Sequence, residues 1–195
     1  MIGLAIFSIL LSMAAPSFST WIQNSQIRTA AESIQNGLQE ARAEAVRRNT
    51  AVRFQLVSSL DGSCAVSSSG QSWLINMTSD SAPDGHCGDA NSDSTSPYIL
   101  KKSPAGQSGA NVTINAGQAV VAFNGLGRLT STLNPTTTPG NSTIDITSPT
   151  TACVSTTGGG TARCLRIVIS PAGLIRMCDP NVSSGSTLTE AMRCS

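Results

Sequence analysis

The chain opens with a stretch that carries no charge, and this stretch limits the folds open to the protein more than any other feature. Residues 1–22 contain no Asp, Glu, Lys or Arg, and most of their polar residues are Ser and Thr. As one helix they extend about 33 Å, and a helix that crosses a bilayer needs about 20 apolar residues. A cleaved secretory signal is the alternative, because Ser12-Met13-Ala14 resembles a cleavage site. We expect a retained membrane helix, mainly because of the residues that follow.

An amphipathic helix continues from the charge-free stretch. Apolar residues recur at alternating spacings of four and three, which is the pattern of a helix with one narrow apolar face. Glu44 precedes Arg48 by one helical turn, and Arg47 and Arg48 suit the negative end of the helix dipole. Asn49 is typical of a helix end, and Pro16 predicts a kink. The predicted packing stripe comprises Ile27, Ala31, Ile34, Leu38, Ala41 and Ala45.

The chain therefore divides into a helix over residues 1–49 and a second region over residues 50–195. The helix would be roughly 70 Å long, which is more than a small soluble domain uses and is typical of a filament subunit. The second region is long enough for one domain with a core. Charged residues make up 12% of the chain and the net charge is +1, so no strong field attracts nucleic acid or anionic lipid.

Residues 50–195 predict a β-rich domain. Thr, Ser, Gly and Val dominate, and many short strands separated by turns are typical of a β-sandwich or of curved antiparallel sheets. One sheet can pack on the helix stripe, which would otherwise face the helices of neighbouring subunits. The last hairpin turns at Pro171-Ala172-Gly173, where glycine permits a positive φ. The predicted strands are 51–57, 73–77, 98–101, 112–115, 119–123, 128–133, 143–147, 164–170 and 174–178.

Six cysteines indicate disulfides. An even count beyond a membrane helix points to an oxidising compartment, here the periplasm. Among the possible pairings we favour three that each close a loop poor in apolar residues, and each contributes about 3 kcal/mol in the chain-entropy model. Zinc binding is the alternative, but the sequence has no CxxC motif and a single His. The favoured pairs are Cys64–Cys87, Cys153–Cys164 and Cys178–Cys194.

The residues that could carry chemistry lie around the single His. His86 is the only candidate base for a Ser-His pair, and no GxSxG, Walker A or GxGxxG motif is present. Four carboxylates in the same region are the hard oxygen ligands that Ca²⁺ prefers, but their spacing does not match an EF-hand. We therefore expect a solvated loop, no enzyme, no cofactor and no metal. The four carboxylates are Asp80, Asp84, Asp89 and Asp93.

Four stretches carry a family resemblance. Residues 15–18 contain a Pro near the end of the apolar helix, and residues 38–45 read L-x-x-A-R-x-E-A at the close of the amphipathic helix. Residues 123–128 resemble an F-x-x-x-G strand and turn, and residues 169–176 resemble an I-S-x-x-G-R-x-R hairpin. Residues 60–109 carry none of these features. The stretches resemble the GspH/FimT group of type IV minor pilins and type II secretion pseudopilins.

The resemblance implies an α+β fold, with a long helix of membrane and amphipathic halves packed on an antiparallel, β-sandwich-like domain. It also implies a structural subunit of a type IV pilus or of a type II secretion pseudopilus. The apolar helix would hold the subunit in the inner membrane, with the β domain in the periplasm, and would then exchange lipid for the helices of other pilins or pseudopilins. The site for prepilin peptidase, with its basic leader, Gly and Glu, is expected upstream of Met1; the alternative is that this copy cannot be processed.

A DNA receptor for natural transformation is the second hypothesis, because some members of the FimT branch resemble such receptors and use the Arg-bearing hairpin. Leu174 stands where the group often has Arg, and the hairpin lacks aromatic residues for base stacking. Ordinary surface cations are the simpler interpretation. A membrane-anchored domain unrelated to filaments is a third, although a Gly/Ser/Pro linker would suit it better. The candidate phosphate contacts are Arg163, Arg166, Arg176, Arg193, Lys101 and Lys102.

Overall fold

One long helix and nine strands form the described part of the chain. The computed structural model describes residues 2–77, 83–104, 111–132, 136–155, 159–182 and 193–194, with side chains from residue 18 onward. The helix α1 (Ile2–Arg48) is one element that includes Pro16, and the kink expected there stays a prediction. Asn49 follows it with φ 49°, the left-handed conformation expected of the residue that ends a helix.

The strands lie within one residue of their predicted bounds, except that β6 has only two residues. They form two antiparallel sheets, one in the order β3-β2-β1-β5-β6 and the other in the order β4-β7-β8-β9. The fold is therefore α+β, with one helix packed on antiparallel sheets. The strands are β1 (Val52–Val57), β2 (Ser72–Met77), β3 (Ile99–Lys102), β4 (Thr113–Ala116), β5 (Val120–Phe123), β6 (Leu129–Thr130), β7 (Ser142–Thr147), β8 (Leu165–Ile169) and β9 (Ile175–Cys178).

The core lies between α1 and both sheets. All six residues of the predicted packing stripe are buried, with at most 2% of their surface exposed. Gly37 lets the helix come close to the five-stranded sheet, because a Cβ there would lie 2.8 Å from Phe54 Cε2 and 2.9 Å from Trp73 Cε2. The Trp73 indole N–H donates a hydrogen bond of 3.0 Å to Ser33 Oγ. The helix between residues 27 and 45 is thus part of the core of the β region.

The strand β1 is buried on both faces, although its alternating sequence is typical of a strand with one solvated face. Arg53 and Gln55 point away from α1 and are fully buried. Arg53 Nε donates to Asn76 Oδ1 at 3.2 Å, and Gln55 Nε2 donates to the same oxygen at 2.6 Å. Asn76 Nδ2 in turn donates to the carbonyl oxygen of Pro97 at 3.2 Å. The connection between β2 and β3 therefore covers this face, and its Pro97 carbonyl accepts a hydrogen bond from the buried polar network, in which Gln55 Oε1 has no hydrogen-bond partner among the described residues.

Three disulfides fasten the loops and join the pairs favoured from the sequence: Cys64–Cys87, Cys153–Cys164 and Cys178–Cys194. Cys64 and Cys87 form a second apolar cluster with Val57 and Leu74 on the face of the five-stranded sheet that is turned away from α1. This disulfide therefore packs the loop on the sheet as well as closing it.

Candidate subunit-contact surface

Two amide side chains fix the point at which α1 leaves the β region. Gln23 Nε2 donates to Thr150 Oγ1 at 2.8 Å, and Gln23 Oε1 accepts a bond of 3.0 Å from Thr151 Oγ1. Asn24 Oδ1 accepts the backbone N–H of Arg163 at 2.8 Å. All three partners lie in the connection between β7 and β8 of the four-stranded sheet. The amides therefore form a clamp between the helix and the end of that sheet.

Large apolar side chains are exposed on α1 immediately before this clamp. Phe18 is 64% exposed, Trp21 is 66% exposed and Ile22 is 36% exposed. The rings of Phe18 and Trp21 stack with their centroids 6.0 Å apart. We call these three residues the exit surface. A groove of about 390 Å³ adjoins it, lined by Ser19, Thr20, Ile22, Gln23, Asn111, Thr150 and Thr151.

The apolar half of α1 can be described only in part. Among the described residues, no helix is long and apolar enough to cross a membrane. Most of the predicted membrane half falls on residues 1–17, whose side chains lie outside the described set.

At the other end of α1, three of the stretches that carry the family resemblance meet. Arg42 Nε donates to the carbonyl oxygen of Gly127 at 3.1 Å, in the turn after β5. The backbone N–H of Leu129 donates to the Pro171 carbonyl at 3.0 Å, which joins this turn to the turn between β8 and β9. Gly173 has φ 82° in that second turn. The pattern of the sequence located these residues, but it did not show that Arg42 connects them.

The last turn of α1 carries a small ion-pair network. Glu44 Oε2 lies 2.6 Å from Arg47 Nη2 and 2.8 Å from Arg48 Nε, and Arg48 Nη1 lies 3.2 Å from Asp93 Oδ2. The hydrogen bond from Arg47 lowers the pKa of Glu44, helped by Arg48 and opposed in part by desolvation. The network contains the pair that the spacing of Glu44 and Arg48 predicted, and it links the helix end to the connection before β3.

We expect Glu44→Gln to lower stability at neutral pH by about 0.5–1 kcal/mol, because two helix ion pairs are lost. A carboxylate whose pKa is lowered in the folded state stabilises that state above its ordinary pKa of 4.5 and loses this contribution as the pH falls through the lowered value. The two proteins should therefore converge in acid. Urea unfolding across this range measures the difference, and Glu32→Gln, which removes a single, more exposed ion pair with Arg28, is the comparison that should show a smaller loss. A difference in the free energy of unfolding that stays constant as the pH falls would contradict the assignment of this stability to the ionised Glu44.

The six cations proposed for DNA lie on two different sheets. Arg166 is paired with Asp145, with Nε to Oδ1 at 2.6 Å and Nη2 to Oδ2 at 3.0 Å. Lys101 Nζ lies 2.6 Å from Glu40 Oε1, and Lys102 Nζ donates to the Cys87 carbonyl at 2.8 Å. Arg163, Arg166 and Arg176 belong to the four-stranded sheet or its loops. Arg193 lies beyond β9, where its backbone forms an isolated β-bridge with Asp179. Lys101 and Lys102 lie at the edge of the five-stranded sheet.

The carboxylates of the loop around His86 have partners within the protein. Asp84 Oδ1 accepts the backbone N–H of Val66 at 2.6 Å, and Asp89 Oδ2 lies 3.0 Å from His86 Nδ1. Asp93 belongs to the Arg48 network, and Asp80 lies outside the described residues. Over the described ranges, no group of three His, Cys, Asp or Glu residues is arranged to hold a metal ion.

The family model for the type II transport protein GspH matches residues 30–173. Two crystal structures of the type IV minor pilin FimU from Pseudomonas aeruginosa are similar. The one in space group P21 has a TM-score of 0.50 at 20% identity and covers 85% of this chain and 98% of that chain. The one in space group P65 has a TM-score of 0.47 at 22% identity, with coverages of 82% and 98%. No curated protein sequence matches.

The structural similarity concerns the fold: a single N-terminal helix packed on antiparallel sheets, as in the P21 structure of FimU. The family match extends from the packing stripe to the turn between β8 and β9. It includes Arg42, Gly127 and Gly173, which the structure brings into contact. Because this match covers well over half of the chain, the protein belongs to the GspH family.

Proposed function

We propose that this protein is a minor pilin or pseudopilin that serves as a structural subunit of a type IV-like filament. The exposed apolar surface of α1 is the observation that carries the proposal. The helix begins at Ile2 and continues for about 30 Å before the Gln23 clamp, beyond what is needed to cover the sheets. The large side chains just before the clamp, Phe18, Trp21 and Ile22, are apolar and exposed. Such a helix suits burial against something outside its own domain.

The packing stripe limits which part of the helix can serve in assembly. Its side chains from Ile27 to Ala45 are buried against the protein's own sheets, so they are not available to neighbours. We propose that residues before Gln23 contact lipid before assembly and the helices of other subunits afterwards. The apolar surface is then buried both in the membrane and in the filament. The free energy of its burial, about 25 cal/mol per Å², is therefore retained when the subunit moves from one to the other. Residues 50–195 would form the displayed domain, in the periplasm before assembly.

A photo-crosslinking amino acid placed at Phe18 or Ile22 is expected to link the protein to other pilin-like subunits in inner-membrane fractions. Both positions are exposed on α1 before the clamp. Leu126 is the matched control, because it is an apolar side chain that is 78% exposed in the turn after β5, which contacts α1 at Arg42, at the opposite end of the β region. Equal crosslinking from all three positions would contradict the proposal, and so would recovery of the whole chain in the soluble periplasmic fraction.

Pilus and pseudopilus are the two assemblies open to such a subunit. Deletion of the gene distinguishes them, because loss of surface pili indicates the first and retention of an exported protein in the periplasm indicates the second. Other pilins or pseudopilins and the inner membrane are the partners we propose, together with prepilin peptidase for processing.

DNA uptake is the alternative function, and the charge distribution gives it less support. A phosphate-binding site needs several cations on one surface; Arg163, Arg166 and Arg176 share the four-stranded sheet or its loops, but Lys101 and Lys102 lie on the other sheet. Arg166 and Lys101 are already paired with carboxylates. The geometry therefore favours the structural role.

A further inference from the structure

We propose that the exit surface and Arg163 seat the protein on the membrane, with Trp21 at the level of the lipid headgroups and the Arg163 guanidinium on a lipid phosphate. This inference rests on the proposed residence of the charge-free stretch in the inner membrane. To that proposal it adds the position in the bilayer at which the charge-free stretch ends and the residues that determine this position.

Trp21 stands at the boundary between the charge-free stretch and the water-exposed half of α1. Its side chain is 66% exposed and stacks with Phe18, and the first charged residue of the helix is Arg28, paired with Glu32 at 2.8 Å. Tryptophan collects at membrane interfaces because its ring is apolar while its N–H requires a hydrogen-bond partner. In water the apolar ring stays exposed, and in hydrocarbon the N–H has no hydrogen-bond partner. The headgroup layer offers an apolar environment for the ring and acceptors for the N–H.

Arg163 lies at the same level of the molecule. Its backbone N–H is bound to Asn24 Oδ1 at 2.8 Å, and Asn24 is three residues, or about 4.5 Å, along the helix from Trp21. The residue is exposed, and its neighbour Cys164 is held in a disulfide with Cys153. Among the carboxylates that the structure describes, none pairs with Arg163. A guanidinium in this position can form the paired hydrogen bonds that phosphate accepts.

The groove beside the exit surface is suited to the same layer. Its lining consists of hydroxyl and amide side chains together with Ile22, and no lining residue is charged. Such groups hydrogen-bond to headgroups and carry no negative charge that would repel phosphate. Because Gln23 clamps the helix to this end of the β region, fixing the depth of Trp21 also places the sheets directly on the membrane surface.

Depth-dependent quenching of Trp21 fluorescence tests the inference. The full chain is reconstituted in vesicles of phosphatidylethanolamine and phosphatidylglycerol that carry bromine either near the headgroup or deep in the acyl chain. The protein has two tryptophans, so Trp73→Phe leaves Trp21 as the only one. We expect shallow bromine to quench at least about twofold more than deep bromine, with blue-shifted emission. Trp21→Phe is the matched control, because Trp73 is 5% exposed within the core and neither bromine should reach it.

If Trp73→Phe does not fold, the difference between the wild-type protein and Trp21→Phe gives the same signal. Stronger quenching by deep bromine, or quenching only by an aqueous agent such as acrylamide, overturns the inference and leaves the proposed function standing. Failure of the chain to sediment with the vesicles overturns both.

Replacing Arg163 tests its contact with lipid phosphate separately from the position of Trp21. Arg163→Ala is expected to shift the Trp21 emission toward that in water and to reduce the shallow quenching, whereas Arg163→Lys should retain most of it. Arg128→Ala is the control, since Arg128 is exposed in the turn beside Gly127, at the opposite end of the β region. Identical quenching in Arg163→Ala and the wild-type protein would remove Arg163 from the proposal.

Discussion

Replacing Gly173 with Ala is expected to lower the free energy of unfolding by about 2–5 kcal/mol, the sum of a left-handed backbone penalty and an overpacking penalty. Gly173 has φ 82°, which costs a residue with a side chain more than it costs glycine. A Cβ at this position would also lie 1.9 Å from the carbonyl oxygen of Gly127 and 3.2 Å from Arg42 Nε. The first contact is with backbone, and the second is with the guanidinium that donates to the same carbonyl oxygen. The two turns must therefore move apart, which breaks the Arg42 hydrogen bond.

Gly140→Ala is the matched control for this variant. No heavy atom lies within 4 Å of a Cβ built at Gly140, and its φ is outside the positive range. Urea unfolding followed by circular dichroism should therefore show little change for Gly140→Ala and a large loss for Gly173→Ala. Equal unfolding midpoints for the two variants would show that the turns can relax without cost.

Removing the Cys64–Cys87 disulfide, with both residues replaced by Ala, is expected to cost about 3 kcal/mol through loop entropy alone. The disulfide closes a separation of 23 residues. Its sulfur atoms also lie in the apolar cluster with Val57 and Leu74, so the variant loses packing as well. The connection that covers Arg53 and Asn76 would then be held less firmly on the sheet.

The Cys153–Cys164 disulfide is the comparison for that measurement, because it closes a separation of only 11 residues. Loop entropy alone predicts a loss smaller by about 0.6 kcal/mol when this disulfide is removed. Guanidinium unfolding of both double variants, each compared with the oxidised wild-type protein, gives the two values. Cys164 is also buried in the core, so both variants lose packing. A loss from Cys64–Cys87 that is no larger than the loss from Cys153–Cys164 would contradict the combined expectation from entropy and packing.

The elements of the fold follow from local patterns, which explains how closely the sequence predicted them. The spacing of apolar residues predicted the packing stripe, and short runs rich in strand-forming residues and separated by turns predicted the strands. Helical and strand periods depend on residues a few positions apart. The favoured disulfides join cysteines that are near in sequence, so proximity along the chain was a sufficient guide.

The contacts between elements could not be predicted from local patterns in the sequence. The alternation of β1 is typical of a strand with one solvated face, but the connection before β3 covers Arg53 and Gln55. The apolar stripe was equally suitable for the protein's own sheets or for a neighbouring subunit, and the structure buries it on the sheets.

Arg42 shows the same limit at the family motif, because its partner Gly127 is 85 residues away in sequence. Periodicity along the chain determined which residues form each element and which side of the helix is apolar. The partners of those surfaces, and the exposure of Trp21 beside Arg163, depend on residues more than a hundred positions apart that only the packed sheets bring together.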